Sequence, residues 1–346
     1  MLLRAISLTA LLFLSACNSS SGPSPGHPPP TDDGLKALTL SQADGYSENV
    51  EKILEADDSD LAKLLERVRG RVGTFRSGSI SIIGTNSETG LGFYASANHV
   101  FGLSSWLNFA EGHIEDFYGQ GIYATSHIVA QSGEINLWDM NTANFPLYHA
   151  DISADAQNTT ILPAEDFYLG LVDSQITPVS NLAQYPEDIN TQTPVSLYDP
   201  DQVLSTNTTW TDAQSGIKVL ALGYPQDTVS YPYGRVSVGS ILTDQAAEQA
   251  ILALKAQGDE EGNIPYHAQV EFIANFPAQA GMSGGSVFDE KGRLLGVMVR
   301  STATQDASYT RVVRISYIRE RFQHYYQTLS ADQKAHLQQF VDSSFL

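Results

Sequence analysis

At positions 281–286 the chain reads Gly-Met-Ser-Gly-Gly-Ser, between an apolar stretch at 270–273 and a strand-like run at 294–299. A serine flanked by glycines can be held on a tight loop with its hydroxyl exposed. The glycine two positions before Ser283 lets the backbone turn so that the amides of Gly281 and Ser283 point into one pocket. A hydroxyl nucleophile beside two N–H donors is the arrangement that acyl transfer requires. A glycine-rich turn between two strands has the same pattern, so a function can be inferred only if a base and an acid are found elsewhere.

The histidine with the best setting for a catalytic base is His99. It ends an apolar, strand-like run that reads Tyr-Ala-Ser-Ala-Asn-His-Val-Phe at 94–101. A neutral imidazole at the end of a strand can take the proton of the serine and return it to the leaving group. The other histidines lack this setting, and no spacing in the sequence resembles a His-Glu-x-x-His zinc site. We therefore expect His99 to be the base, and we expect no metal and no organic cofactor.

The acid that orients this histidine is expected at the start of a buried strand. Asp166 precedes the run Phe-Tyr-Leu-Gly-Leu-Val at 167–172 and could accept a hydrogen bond from the second ring nitrogen of His99. Asp151 is the competing candidate, although no strand-like run follows it, and Asp155 is a weaker third. We favour Asp166.

Length and charge restrict the class of protein. The chain has 346 residues, enough for one large or two small domains with a buried core. Its formal net charge of −20 would repel a phosphate backbone, so we expect no nucleic-acid partner. Cys17 is the only cysteine, which excludes an intramolecular disulfide and a thiolate metal cluster.

The N-terminal segment has the pattern of an exported lipoprotein. The basic residue Arg4 is followed by an apolar run at 5–14, which is too short to span a membrane and fits the hydrophobic part of an export signal. The run ends in Leu-Ser-Ala-Cys, which resembles the bacterial lipobox, where the cysteine is lipidated and becomes the new N-terminus. We predict a signal peptide at 1–16, lipidation of Cys17, and a tether rich in Ser, Pro and Gly at 17–34. An ordinary signal peptide with an incidental cysteine is the alternative.

The segment that follows the tether has a helical pattern. From about Ser47 to Arg69, apolar residues recur at three- and four-residue steps, with a break and a new helix cap near 57–60. We interpret 35–70 as a helical extension packed against the main domain. A removable, inhibitory propeptide is the alternative.

Short β-rich runs separated by turn residues dominate the rest of the chain. The first set predicts strands at 79–84, 91–96, 122–130, 134–140 and 167–172. The second set predicts strands at 194–198, 217–223, 234–242, 267–276, 285–288, 293–300 and 308–315, with a helical insertion at 243–257. Helices are expected again at 317–346. Two sets of strands without regular intervening helices indicate an all-β fold built from barrels or sandwiches.

Three segments, taken in order, resemble the trypsin/chymotrypsin-like serine endopeptidases. They are Ser-Ala-Asn-His-Val at 96–100, Asp-Phe-Tyr-Leu-Gly-Leu-Val at 166–172 and Gly-Met-Ser-Gly-Gly-Ser at 281–286. Further likenesses at 219–225, 292–299 and 308–312 extend the resemblance over roughly 71–326. It implies two six-stranded antiparallel β-barrels of the chymotrypsin-like type, at 71–190 and 191–316, with the site in the cleft between them.

The resemblance also implies roles for individual residues. Ser283 would attack the carbonyl, His99 would move the proton, Asp166 would orient the imidazole, and the amides of Gly281 and Ser283 would hold the oxyanion. The primary specificity pocket would be lined by Pro277, Arg300, Ser301, Thr302 and Ala307. Because Pro277 stands where an acid would select Lys or Arg, we expect cleavage after small or medium uncharged residues.

Three residues depart from the family pattern. Met282 stands where the animal enzymes carry an aspartate that pairs with a newly freed N-terminus, so the site must be preformed or organised in another way. Asn98 replaces a usually small residue before the histidine. Tyr168 replaces the usual Ala or Ser two positions after the acid.

The resulting prediction is a serine endopeptidase of the bacterial cell envelope, exported and lipid-anchored on the periplasmic face or the cell surface. Its partners would be a protein or peptide substrate and, through Cys17, a membrane. A catalytically silent fold that acts as a protein-binding module is the alternative from another functional class. An esterase with the same triad is a third possibility, although the order Ser, Asp, His of the α/β-hydrolases and their alternating helices are absent from the sequence.

Overall fold

The described part of the computed structural model contains more strand than helix, and its helices come before, between and after the strands in the chain. The residues that the structure describes are 35–56, 59–75, 78–86, 91–101, 112–115, 121–125, 127–130, 132–136, 162–173, 210–304 and 307–339. The predicted signal peptide, the tether with Cys17, the predicted strand at 194–198, Asp151 and Asp155 lie outside the described residues.

One strand and two helices precede the first barrel. They are β1 (Tyr46–Asn49), α1 (Val50–Glu55) and α2 (Asp60–Val68). The side chains of Asn49 and Ser59 cap the two helices, as their short polar groups favour. The predicted helix start at Ser47 is wrong, because residues 46–49 pair in antiparallel register with a strand nearly two hundred positions later in the chain. That contact outweighs the local helical pattern.

Six strands form a closed N-terminal barrel in the order β2-β3-β4-β9-β6-β5. The strands of this region are β2 (Val72–Phe75), β3 (Gly78–Asn86), β4 (Leu91–Ser96), β5 (Gly112–Glu115), β6 (Gly121–Thr125), β7 (His127–Ala130), β8 (Gly133–Asn136) and β9 (Tyr168–Asp173). The pair β7 and β8 forms a separate hairpin. The sequence pattern does not predict β2 and β5, because their segments, Val-Gly-Thr-Phe and Gly-His-Ile-Glu, contain too few apolar residues to establish a period.

The C-terminal barrel uses six strands, and β1 is added at its edge. The strands are β10 (Lys218–Gly223), β11 (Arg235–Ser240), β12 (Glu271–Ala274), β13 (Ser286–Phe288), β14 (Leu294–Ala303) and β15 (Ser308–Arg314). They are hydrogen-bonded in the order β1-β11-β10-β13-β14-β15-β12. An isolated bridge between Ile241 and Ala274 joins the end of β11 to β12 and completes the circuit. The predicted all-β fold of two trypsin-type barrels is therefore confirmed.

Helices accompany the C-terminal barrel at two places. The predicted insertion is α3 (Asp244–Ala256), which packs on Ile273 of β12. The last two elements of the described residues are α4 (Ile315–Thr328) and α5 (Ala331–Leu337). In the described part of the chain, none of the helices has the length and apolar character needed to span a bilayer.

The helix α4 connects the end of the chain to the N-terminal barrel. Phe322 packs edge-on against Phe93 of β4, with 5.1 Å between ring centroids. Tyr317 packs edge-on against Phe167 and donates a hydrogen bond to the carbonyl of Ala164 (3.0 Å). These contacts hold the segment just before β9, which carries one of the predicted site residues.

Candidate active site

The structure brings His99, Asp166 and Ser283 together where the two barrels meet. The Nε2 atom of His99 lies 2.9 Å from the Oγ atom of Ser283. Its Nδ1 atom lies 3.0 Å and 2.9 Å from the two carboxylate oxygens of Asp166. All three distances are within hydrogen-bonding range, so the three side chains form one continuous chain of contacts.

The N-terminal barrel supplies the histidine and the aspartate. His99 lies in a 3₁₀ turn, Asn98–Phe101, that follows the end of β4, as its setting in the sequence predicts. Asp166 comes two residues before β9 and is fully buried. One of its oxygens also accepts a hydrogen bond from the backbone N–H of His99 (2.9 Å). The carboxylate therefore holds both the ring and the backbone of the histidine.

The C-terminal barrel supplies the serine, on the loop between β12 and β13. Gly281 and Gly284 of this loop have φ angles of 96° and 89°, which residues with a side chain rarely adopt. A Cβ atom on Gly284 would lie 1.9 Å from the carbonyl oxygen of Ser79, so the loop can approach the N-terminal barrel only with glycine there. This is the tight, glycine-dependent turn that the sequence predicts.

The amides of this loop divide into two groups. Met282 donates its N–H to the carbonyl of Gln279 (3.0 Å), and Gly284 donates to the carbonyl of Met298 (2.8 Å). Within the described ranges, the amides of Gly281 and Ser283 have no hydrogen-bond acceptor. They are the two amides predicted to hold an oxyanion.

The charges around His99 act in opposite directions on its pKa. Burial opposes protonation of the imidazole and lowers the pKa, but the hydrogen bond and the negative charge of Asp166 outweigh burial and raise the pKa above its ordinary value. The charge of Arg300 lowers the pKa, and that of Glu261 raises it. Arg300 and Glu261 are themselves an ion pair, with 2.6 Å between Nε and a carboxylate oxygen. Glu261 comes from the turn after α3, and the sequence pattern does not identify it.

The predicted pocket residues divide between two faces of β14. Arg300 contacts Glu261, and the hydroxyl of Thr302 donates to the carboxylate of Asp259 (2.7 Å), so both side chains point to the turn after α3. Ser301, between them, points to the other face, as alternation along a strand requires. Its hydroxyl accepts a weak hydrogen bond from the N–H of Ala278 (3.4 Å).

The other two predicted pocket residues are partly exposed. Pro277 is anchored by its carbonyl, which accepts a hydrogen bond from the hydroxyl of Ser237 on β11 (2.7 Å). Ala307 lies in the turn between β14 and β15, where its carbonyl accepts a hydrogen bond from the N–H of Thr304 (2.8 Å).

The three residues that depart from the trypsin-like sequence pattern each have contacts in the structure. Met282 is fully buried in an apolar cluster of the C-terminal barrel. The side-chain amide of Asn98 donates to the carbonyl of Glu165 (3.3 Å), which ties the histidine turn to the segment that carries Asp166. Tyr168 is buried with its ring centroid 6.1 Å from that of Tyr94. With Met282, Asn98 and Tyr168 in these places, His99, Asp166 and Ser283 remain within hydrogen-bonding distance of one another.

Sequence reasoning missed a group of serines in the N-terminal barrel. Ser79 and Ser81 on β3 donate their hydroxyl hydrogens to the carbonyls of Gly281 (2.8 Å) and Gly284 (2.9 Å). Ser96 on β4 donates to the carbonyl of Ser79 (2.7 Å). All three are fully buried. A run of alternating serines at 77, 79 and 81 in an otherwise apolar strand was the available signal, but it does not indicate which residues they contact.

No arrangement for a metal was found in the part of the chain that the structure describes. Groups of three or more His, Cys, Asp or Glu side chains that could hold an ion do not occur among those residues.

Comparison with known proteins gives structural neighbours alone. No protein-family model matches the chain, and no curated protein matches it. Among solved structures, the chain is similar to the Rv3671c protease in an inactive form, with 13% identity, a TM-score of 0.39, and 76% of this chain and 92% of that chain covered. It is also similar to a serine-to-alanine mutant of Rv3671c from M. tuberculosis H37Rv in an inactive form, with 14% identity, a TM-score of 0.35, and 78% and 92% covered. At this level of similarity we argue function from the geometry of the site.

Proposed function

We propose that the chain is a serine endopeptidase in which Ser283 attacks the peptide carbonyl. The observation that carries this proposal is the distance of 2.9 Å between Nε2 of His99 and Oγ of Ser283, with Asp166 on the other ring nitrogen. The carboxylate keeps the ring proton on Nδ1, so Nε2 can accept the proton of the serine. The protonated imidazole then gives this proton to the leaving amine, and the same imidazole activates the water that hydrolyses the acyl-enzyme.

The loop amides support the same reaction. The carbonyl oxygen of the substrate becomes negatively charged as Ser283 attacks, and two N–H donors placed beside it lower the barrier. The amides of Gly281 and Ser283 flank the nucleophile and have no acceptor among the described residues. We assign the oxyanion to these two amides.

An open strand edge beside the serine favours a peptide as the substrate. In the described part of the chain, β14 pairs with β13 only up to Val297, and its second half pairs with β15 alone. The N–H of Thr304 donates to the carbonyl of Ala307, so these two residues form a hydrogen-bonded pair of the ladder between β14 and β15. Hydrogen-bonded and non-hydrogen-bonded pairs alternate along an antiparallel ladder, so the N–H and C=O groups of Ser301 and Ala303 point away from β15. An extended peptide can add to such an edge through main-chain hydrogen bonds.

The residues near this edge support a preference for small or medium uncharged side chains at the cleaved bond. The small residues Ser301 and Ala278 are in contact there, through the hydrogen bond from the N–H of Ala278 to the hydroxyl of Ser301. The positive charge of Arg300 is paired with Glu261. A peptide-library profile should show cleavage after such residues. Dominant cleavage after Lys or Arg would contradict this preference.

Labelling with a fluorophosphonate probe tests the reaction. A chain that begins at Ser19 should be labelled on Ser283, should lose labelling in Ser283→Ala and His99→Ala, and should cleave unfolded casein. A folded protein that is neither labelled nor active would refute the proposal and favour a binding module. Labelling and ester hydrolysis without any peptide cleavage would favour an esterase.

We also propose that the chain is exported and lipid-anchored through Cys17, which the sequence pattern at 1–17 supports. Membrane fractionation and mass spectrometry of the mature N-terminus test this. The protein should be found with the membrane and should leave it in Cys17→Ala. Association with the membrane that does not depend on Cys17 would contradict the anchor.

A further inference from the structure

Ser79 contacts the loop between β12 and β13 that carries Ser283, here called the nucleophile loop, through both its side chain and its backbone. It lies on β3 of the N-terminal barrel and is fully buried. Its hydroxyl donates to the carbonyl of Gly281 (2.8 Å) and accepts from the N–H of Tyr224 (2.8 Å). Its own N–H donates to the carbonyl of Ser283 (2.8 Å). One residue therefore links β3 to both assigned oxyanion-binding residues and to the segment after β10.

The contacts of Ser79 control the two peptide groups that flank Gly281. The peptide group between Gly281 and Met282 is fixed because its carbonyl is bonded to the Ser79 hydroxyl. The peptide group between Ala280 and Gly281 is fixed because its carbonyl accepts from the N–H of Gln226 (2.9 Å). That N–H belongs to the segment that Ser79 holds through Tyr224. Since the N–H and C=O of a trans peptide point in opposite directions, fixing the carbonyl of Ala280 also fixes the direction of the Gly281 amide.

The space around Gly281 leaves the loop little room to shift. A Cβ atom at this position would lie 2.5 Å from the nitrogen of Gln226 and 2.6 Å from the carbonyl oxygen of Tyr224. The φ angle of Gly281 is 96°, which glycine adopts without strain, so the packed neighbours and not backbone strain confine the loop. These neighbours are the ones that Ser79 positions.

Met282, the residue before Ser283, cannot hold the loop in place through its side chain. Met282 is apolar and buried among apolar side chains, so it forms no ion pair that could order the loop. The hydrogen bonds that fix the peptide groups on either side of Gly281 come from neutral groups, the hydroxyl of Ser79 and the amide of Gln226. They exist in the folded chain without a cleavage event.

We propose that Ser79 is a positioning residue that holds the Gly281 amide in its oxyanion-binding orientation, so that the site is preformed. The inference rests on the proposed function, because it concerns the oxyanion site of the same reaction. It assigns to the N-terminal barrel a second task besides supplying the base and the acid. Ser79 itself does not touch the substrate.

Ser79→Ala with Ser81→Ala as the matched control tests the proposal. Ser81 lies on the same strand and the same face, is equally buried, and donates to a carbonyl of the same loop, that of Gly284, but makes no contact with Gly281. The measurement is kcat and KM for p-nitrophenyl acetate, with urea unfolding for stability. Because loss of one oxyanion donor lowers kcat by about 10²–10³-fold, we expect Ser79→Ala to lower kcat by roughly tenfold to a hundredfold with KM unchanged. Ser81→Ala should lose comparable stability and keep its kcat.

A second variant keeps the proposal testable if Ser79→Ala does not fold. Ser79→Cys keeps a buried side chain of similar shape but replaces the hydroxyl by a thiol, which is a weak hydrogen-bond donor, and it should lower kcat in the same direction. A normal kcat in both variants, or an equal loss in Ser81→Ala, would overturn the role of Ser79 and leave the proposed function intact. A folded wild-type protein without ester hydrolysis or fluorophosphonate labelling would instead refute the proposed function, and the inference with it.

Discussion

Replacing Asp166 by asparagine should abolish catalysis while leaving the fold intact. One carboxylate oxygen of Asp166 accepts from the backbone N–H of His99 (2.9 Å), so the amide oxygen of an asparagine must take that place. The new NH₂ group then faces Nδ1 of His99, which lies 2.9 Å from the other oxygen. Nδ1 would have to accept instead of donate, and the ring proton would move to Nε2. That nitrogen could no longer take the proton of Ser283.

The size of the effect follows from the loss of the base. A wrong histidine tautomer in such a triad lowers kcat by roughly 10⁴-fold, which corresponds to about 5.5 kcal/mol in the activation free energy. The free energy of unfolding should change by no more than about 3 kcal/mol, because the side chain keeps its shape and loses only the contribution of its charge to the hydrogen bonds.

The assay compares rates of fluorophosphonate labelling and casein cleavage for Asp166→Asn and Asp151→Asn, with urea unfolding for both. Asp151, the competing candidate from the sequence, should keep normal rates when substituted. If Asp166→Asn retained more than a tenth of the wild-type rate, or if Asp151→Asn lost as much, the assignment of Asp166 would be wrong.

Three further predictions concern electrostatics, the nucleophile loop and the extension. The labelling rate of Ser283 should fall as pH drops, because only the neutral imidazole of His99 is a base. Burial lowers the pKa of His99, but Asp166 raises it by more, so the midpoint of the fall should lie above about 6.5. Glu261→Ala should move this midpoint to lower pH, since it removes a charge that raises the pKa of His99; a midpoint that stays in place would show that the pair with Arg300 does not reach the site. Gly284→Ala should destabilise the protein by more than about 3 kcal/mol in urea unfolding, whereas Gly258→Ala, with a φ of 79° and no atom within 4 Å, should cost only about 1–2 kcal/mol of backbone strain. Leu65→Ala in the extension should lower the free energy of unfolding by about 2–5 kcal/mol, because this side chain is fully buried in the main core. A negligible change would favour the alternative that the extension is a removable propeptide.

The extension illustrates what a local pattern can and cannot predict. The steps between apolar residues predict α1 and α2, because a helix face is formed by residues three and four positions apart. They do not predict β1, whose residues pair with β11 at the edge of the C-terminal barrel. They also do not predict that Asp44 would be bonded to Ser240 and Asn275, at the far end of that strand. The start of the extension is thus attached to the C-terminal barrel, which a helical period alone does not indicate.

The candidate site shows the same division. His99, Asp166 and Ser283 could be identified from the sequence because each has a recognisable local setting: a strand end, a strand start and a glycine-rich turn. The pocket prediction for 300–302 placed three consecutive residues together, whereas the structure places Ser301 on the opposite face from Arg300 and Thr302. Consecutive residues of a strand cannot share a face, so only the contacts of β14 could assign them.

The sequence by itself determined the all-β class, the order of the three site residues and the glycines that the nucleophile loop needs, because these depend on residue type and short-range spacing. Only the tertiary structure decided which groups hold those residues in place. Ser79 bonds a carbonyl 202 positions away, and Glu261 reaches Arg300 across 39 positions. Such partners are ordinary serines and glutamates in the sequence, and they acquire a role only when two barrels and an insertion bring them to the same point.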